Sequence, residues 1–272
     1  MAHPFPSFLD ACLTASLALL AGANPARSAA LGLAMLALQA TIGTVNDLHD
    51  APLDRLAKPG KPIPAGLVGV GAARGAAFGA SAAGLVLSAL LGPATFAIGV
   101  AGLAVGLLYD LRLKGTLLSW LPFAIGVPLL PLYAWLGAAG CLPPALGLVA
   151  VLAVPAGASL ALSNALADLE ADRLAGLASL PVVGGGRTSW LVAVVLAAVV
   201  LAGVGLARPV STAPLADVVL VAGGAAVVLG LGLARGPEPV RREWGWELEA
   251  VGFGLVALGW LASVAASGAI HC

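Results

Sequence analysis

Apolar runs long enough to cross a bilayer recur along almost the whole chain, and they limit the fold more than any other feature. Apolar stretches of roughly 18 residues or more, with few charges, read as membrane-spanning helices. Breaks at glycine, proline and charge clusters separate nine apolar segments, near Phe8–Ala21, Ala30–Asp50, Gly66–Leu91, Ala94–Tyr109, Leu117–Gly137, Pro144–Ala167, Ser189–Ala207, Leu215–Ala234 and Glu249–Ala266. The fourth leaves room for less than a full span. Only 10% of the 272 residues are charged, against about 25% in soluble domains, and mean hydropathy is +1.04. The expected fold is therefore all-α: a polytopic membrane protein of about nine transmembrane helices in one bundle. No soluble domain fits between the segments, so residues 1–272 read as a single domain. The 36 glycines suit helices that approach closely in lipid.

A formal net charge of zero gives no sign of a nucleic-acid partner. Cys12, Cys141 and Cys272 are scattered, form no metal-binding spacing, and read as three free thiols. Ala21-Gly22-Ala23 resembles a signal-peptidase site, but no Lys or Arg precedes Arg27. The first segment therefore reads as a short membrane helix, since a signal peptide needs a positive n-region.

Charge placement orients the bundle. The loops after segments 2, 4, 6 and 8 hold Arg55, Lys58, Lys61, Arg112, Lys114, Arg173, Arg187, Arg235, Arg241 and Arg242, and Arg74 lies near the same end. Only Arg27 and Arg208 fall on the other side. By the positive-inside rule the even-to-odd loops face the cytoplasm, the N-terminus is inside and the C-terminus outside. The acids crowd the same face, with Asp10 and Asp217 as the exceptions.

On that face one spacing occurs twice. Asn46, Asp50 and Asp54 end segment 2, and Asn164, Asp168 and Asp172 end segment 6, both as N-x-x-x-D-x-x-x-D. Residues four apart drift by only about 40° on a helix, so the second triplet is expected on one helix face. Pro52 is expected to end the first helix near Asp50, leaving Asp54 on a loop or a fresh turn. Asp47 adds an acid, although its i+1 position points it off the triplet's face. A carboxylate deep in a bilayer costs roughly 2.5–3.5 kcal/mol, so something positive should offset this concentration. Oxygen-rich clusters suit a hard divalent cation, and Mg²⁺ characteristically takes one or two carboxylates, waters and substrate phosphate oxygens. Asn46 and Asn164 would add neutral oxygens. Lys58, Lys61 and Lys114 lie beside these acids, either as phosphate contacts or as ordinary positive-inside charges. Arg235, Arg241 and Arg242 read as the latter.

These residues resemble the UbiA family of intramembrane prenyltransferases. Asn46, Asp47, Asp50 and Asp54 fit the family's N-D-x-x-D-x-x-x-D, "KPGKPIPAG" looks like its basic, proline-rich continuation, and Asp168 and Asp172 look like its second signature. Tyr109 and Lys114 resemble a Tyr and Lys that members carry between helices 4 and 5. The resemblance implies a prenyl diphosphate whose tail lies between helices, open to lipid. It also implies two Mg²⁺ ions held by the two motifs, and transfer of the prenyl group to an aromatic or lipid acceptor, as in quinone, chlorophyll-type or glycerolipid synthesis. Asn46, Asp50, Asp54, Asn164, Asp168 and Asp172, with Asp47, would be metal or diphosphate ligands. Asp50, Asp54, Asp168 and Asp172 would be catalytic. Lys58, Lys61, Tyr109, Arg112 and Lys114 would contact the diphosphate.

Gln39 stands seven residues before Asn46, hence on nearly the same helical face. It lines an acceptor pocket or makes a helix–helix hydrogen bond, and Ser163 carries the same two readings. His49 reads as surface, and His3 and His271 as terminal. Three rival functions stand against a prenyltransferase. A cyclase of the same fold would ionise the diphosphate without an acceptor. A CDP-alcohol transferase would need Asp-Gly and Ala-Arg in one contiguous motif, which is missing here. A secondary transporter would place ionisable groups near the midplane, often in inverted repeats, whereas this repeat is parallel.

Overall fold

Among the described residues the chain forms eleven helices and one π-helical turn. The computed structural model describes residues 4–209, 213–268 and 270, and among these there is no strand. In order they are α1 (Pro4–Leu20), α2 (Pro25–Ala57), α3 (Val70–Leu91), α4 (Pro93–Leu108), the π turn (Tyr109–Leu113), α5 (Leu121–Ala139), α6 (Ala145–Ala167), α7 (Leu169–Leu174), α8 (Leu180–Gly184), α9 (Gly186–Leu206), α10 (Pro214–Ala234) and α11 (Pro239–Ala266). Among the described residues eight helices are long and apolar enough to cross a membrane: α2, α3, α4 with its π turn, α5, α6, α9, α10 and α11. The short apolar helix is α1, with 17 residues. The fourth segment, expected to be short, reaches 21 residues once the π turn is added.

The chain divides into two units, Met1–Lys114 with Tyr133–Gly140, and Gly115–Leu132 with Cys141–Cys272. In the first, α2 packs on α1, α3 and α4. Gly84 makes the α2–α3 approach possible, because a Cβ there would lie 2.9 Å from the Leu38 side chain and 3.1 Å from its backbone nitrogen. Asn24 caps α2 by accepting from the Arg27 amide at 2.9 Å. The Arg27 guanidinium donates to the carbonyls of Gly137 (2.5 Å) and Leu91 (2.7 Å), satisfying helix-end groups that have no partner within their own helices. Gly92, at φ 145°, makes the sharp corner from α3 to α4, a backbone region that suits glycine. Ser88 and Tyr133 share a buried hydrogen bond of 2.8 Å.

In the second unit, α10 and α11 touch backbone to backbone. A Cβ at Gly230 would lie 2.6 Å from the Gly245 carbonyl oxygen, one at Gly252 2.6 Å from the Val227 nitrogen, and one at Gly259 2.6 Å from the Leu220 nitrogen. α6 packs on α9 and α11. Trp190 Nε1 donates to the Leu231 carbonyl at 2.8 Å.

Four expectations need correction. First, α2 does not end near Asp50. It continues through Pro52 to Ala57, so Asp54 is helical. Pro52 leaves the Leu48 carbonyl without its intrahelical donor, which costs about 3 kcal/mol. Lys61 compensates by binding Asp47 and Asp54, one on each side of the proline. Second, the second triplet does not share one uninterrupted helix. α6 stops at Ala167, Asp168 sits at the junction with φ −93° and ψ 5°, and α7 follows. Third, α11 begins at Pro239, ten residues before the expected Glu249, because Arg242 is buried among partners rather than lying on a loop. Fourth, Cys141 is disulfide-bonded rather than a free thiol. Cys12 is free and exposed. Cys272, His3 and His271 lie outside the described residues.

Candidate functional site

The last three turns of α2 carry the first acidic group. Asn46 and Asp50 are four apart, and Asp47 and Asp54 are seven apart, so each pair shares a helix face. The structure gives each pair one ammonium. Lys114 Nζ, just after the π turn, donates to Asn46 Oδ1 at 2.7 Å and to Asp50 Oδ2. Lys61 Nζ donates to Asp47 Oδ1 at 3.1 Å and to Asp54 Oδ2 at 2.7 Å. Asp47 therefore belongs to the group despite its i+1 position, because it pairs with Asp54 two turns on. Burial alone would lower the Lys61 pKa, but the Asp54 and Asp47 carboxylates outweigh it and hold the ammonium above its ordinary value. His49 is exposed, as read from the sequence, yet its Nδ1 lies 3.3 Å from Asp50 Oδ1. Lys58 and Arg112 are exposed and Tyr109 is half-buried.

The π turn adds a residue that the sequence reading missed. Asp110 is 2% exposed, its Oδ2 has no hydrogen-bond partner, and it feels the charges of Lys114, Asp50 and Asp47. The Lys114 amide closes the turn on the Tyr109 carbonyl at 2.8 Å, and such turns recur at functional sites. The available signal was an acid four residues before Lys114, beside Tyr109.

The second acidic group spans the α6–α7 junction. Asn164, Asp168 and Asp172 are all half-buried. The Asp168 amide donates to the Asn164 carbonyl at 3.3 Å, and the Asp172 amide to the Asp168 carbonyl at 2.9 Å. Glu170 points elsewhere and accepts from Arg242 Nη2. Of the two weaker candidates, Gln39 donates its amide to the Asp10 carboxylate, a helix–helix hydrogen bond. Ser163 is fully buried within α6.

Among the described residues no three His, Cys, Asp or Glu side chains stand close enough to share one metal ion. The first group is built differently, with two side-chain oxygens around each of two lysine ammoniums. Each such pair is a place where oxygen donors already converge on a positive charge.

The family model described as "UbiA prenyltransferase family" matches residues 10–244. A chlorophyll synthase from Oryza sativa subsp. japonica is 33% identical over 162 residues, covering 54% of this chain and 43% of that protein. A digeranylgeranylglyceryl phosphate synthase from Methanopyrus kandleri is 30% identical over 156 residues, 56% of each chain. This chain thus matches about half the length of these relatives. Among solved structures, a UbiA homolog from Aeropyrum pernix superposes with a TM-score of 0.74 at 18% identity, covering 93% of this chain and 96% of that one. A UbiA homolog from Archaeoglobus fulgidus, bound to GPP and Mg²⁺, superposes at 0.66, again at 18% identity, over 93% and 99%. At such identities the likeness speaks for the fold, and the family match over most of the chain speaks for descent. The chain belongs to the UbiA prenyltransferase family.

Proposed function

We propose that this chain transfers a prenyl group from a prenyl diphosphate to a hydrophobic acceptor within the membrane, with Mg²⁺ as cofactor. One observation carries the reading: the paired oxygens at the end of α2, each pair closed on a lysine ammonium. Such pairs fit a hard cation. Asn46 with Asp50, and Asp47 with Asp54, would hold Mg²⁺, and Asn164, Asp168 and Asp172 would do the same in the second unit. Bound there, Mg²⁺ would neutralise the diphosphate and stabilise charge on the departing pyrophosphate.

The chain's own residues account for the rest. Lys61 and Lys114, which hold these acids here, would be free to turn to the diphosphate oxygens if a cation took their place, and an ammonium would act there as a point charge. Tyr109, Lys58 and Arg112 stand in the same loops and are assigned to diphosphate contact. The allylic C–O bond breaks with its electron pair on the pyrophosphate. The acceptor's carbon or oxygen then bonds to the allylic carbon, and its proton passes to the released pyrophosphate. Exclusion of water prevents hydrolysis of the cation. The acceptor is an aromatic ring or a lipid hydroxyl, the two classes suggested by relatives named chlorophyll synthase and digeranylgeranylglyceryl phosphate synthase. The acidic face is assigned to the cytoplasm on the positive-inside count.

The test is incubation of purified protein with Mg²⁺, prenyl diphosphates of C10 to C20 and a pool of aromatic and glycerolipid acceptors, read by mass spectrometry with an EDTA control. An EDTA-sensitive mass gain of one prenyl unit is expected. Pyrophosphate release with only cyclised hydrocarbon or alcohol would establish the cyclase alternative. Absence of diphosphate consumption at every chain length would refute the proposal.

A further inference from the structure

The second unit contains two buried charged residues that no motif explains, Arg242 at 6% exposure and Glu249 at 0%. Both lie on α11. Seven residues separate them, roughly 10.5 Å of rise and a 20° offset, so they share one face. Arg242 Nη2 binds Glu170 Oε2 on α7, and its Nη1 donates to the Pro237 carbonyl at 3.2 Å. Glu249 Oε1 accepts from Ser159 Oγ on α6 at 2.6 Å, and Ser159 Oγ also lies 3.0 Å from the Ala193 carbonyl. In the chain, Ser159 and Glu170 bracket Asn164 and Asp168. One helix face therefore holds the polypeptide on both sides of the α6–α7 break.

That face lies close against α10. Between Arg242 and Glu249 stands Gly245, where a Cβ would lie 2.6 Å from the Ala234 nitrogen and 2.6 Å from the Gly230 carbonyl oxygen of α10. A Cβ at Gly230 would in turn lie 2.7 Å from the Glu249 nitrogen. α10 thus backs α11 by backbone contact at the level of the two charged residues. A membrane interior offers little reason to bury an arginine and a glutamate except to hold partners. Glu170 is exposed and Ser159 is neutral, so neither needs a buried charge for its own solvation.

We propose that Arg242 and Glu249 are positioning residues that fix the α6–α7 break at Asp168, and so set the spacing of Asn164, Asp168 and Asp172 as cation ligands. This rests on the proposed function only in treating that group as a cation site.

The test uses Mn²⁺ alone as probe, with binding followed by electron paramagnetic resonance. An Asp50→Ala, Asp54→Ala background silences the first group. Electrostatics and positioning then predict opposite signs. Arg242→Gln removes a positive charge, which by Coulomb attraction alone would tighten Mn²⁺ binding. Positioning predicts at least a tenfold weakening. Arg242→Lys keeps the charge but loses the fork, and it should also weaken binding. Glu249→Ala should weaken binding to a similar degree. Glu249→Gln, whose carbonyl still accepts from Ser159, should stay within threefold of the parent. Binding by the Arg242 variants that is unchanged or tighter would overturn the proposal. Should Arg242→Gln fail to fold, Arg242→Lys decides on the same criterion. A parent that binds no Mn²⁺ would refute the cation reading of the second group and this inference with it. A parent that binds while the variants bind equally well would sink this inference alone.

Discussion

Replacing Lys61 with Met tests whether the acids at the end of α2 are held by charge. The ammonium lies 3.1 Å from Asp47 and 2.7 Å from Asp54. At an effective dielectric near 20 these contacts are worth about 5 and about 6 kcal/mol before desolvation. All three side chains are about nine-tenths buried, with exposures of 10%, 9% and 8%, so desolvation cancels much of that gain. Breaking such a pair from one side still costs about 3–5 kcal/mol, because uncompensated charge stays buried. Here Asp54 would lose its ammonium, and Pro52 would lose the contacts that hold the helix across it. At about 2–4 °C per kcal/mol for a protein of this size, the unfolding midpoint should fall by about 6–20 °C. The assay is thermal unfolding of purified protein in detergent without divalent cations. The pH dependence supplies a sign check. The Lys61 pKa is raised in the folded protein, so its contribution is complete below the ordinary lysine value and is lost as pH rises through the raised one. The gap between wild type and variant should hold constant from pH 7 to 9 and close only at strongly alkaline pH. A drop under 2 °C, or a gap that shrinks between pH 7 and 9, would refute the reasoning.

Four further outcomes follow from the same geometry. Asp50→Ala and Asp168→Ala should each reduce prenyl transfer by at least about a thousandfold, a loss of roughly 4 kcal/mol of transition-state stabilisation, while the protein still elutes as a folded species; near-wild-type turnover in either would remove that residue from the site. Lys114→Ala should raise the KM for the diphosphate about tenfold and leave the acceptor KM unchanged, as steady-state kinetics with each substrate varied would reveal. Gly245→Ala places a methyl 2.6 Å from the Ala234 nitrogen and should destabilise by about 1–3 kcal/mol through overpacking, seen as a lower unfolding midpoint. Mg²⁺ and diphosphate should strengthen each other's binding by the same factor, as linkage requires. The reason is that lysines displaced from the acids need a new anion; equal Mg²⁺ affinity with and without a non-ionisable diphosphate analogue would contradict it.

The membrane architecture was legible because the bilayer asks for one simple pattern, and eight of the nine apolar segments became helices long enough to span it. The acidic groups were legible because a fourfold spacing repeated at two helix ends is hard to explain as a solvated rim. The partners of the acids were less so. Lys61 and Lys114 were named, but only the fold shows that one takes Asp47 with Asp54 and the other Asn46 with Asp50. Asp110 went unseen because a lone acid beside Tyr109 carries no periodic signal, and the π turn that buries it has none either. Arg242 was read as a loop charge because positive-inside counting treats all basic residues alike, whether or not they are buried.

The two errors of helix continuity have a common physical origin. Local propensity placed a break at Pro52 and none at Asp168, and the fold does the reverse. In both places a basic side chain from a later segment settles the matter. Lys61 spans two turns of α2 and holds the helix together where proline weakens it. Arg242 draws Glu170 toward α11 immediately after Asp168, at the point where α6 gives way to α7. Taking the partner away from a buried charge costs about 3–5 kcal/mol, whereas one backbone hydrogen bond is worth about 1 kcal/mol net, so the backbone gives way before the charge does. Charges are scarce in this chain, so each buried one has unusual leverage over the path of the backbone. Helix ends in such a protein should therefore be read from where the buried charges find partners, and only then from proline and glycine.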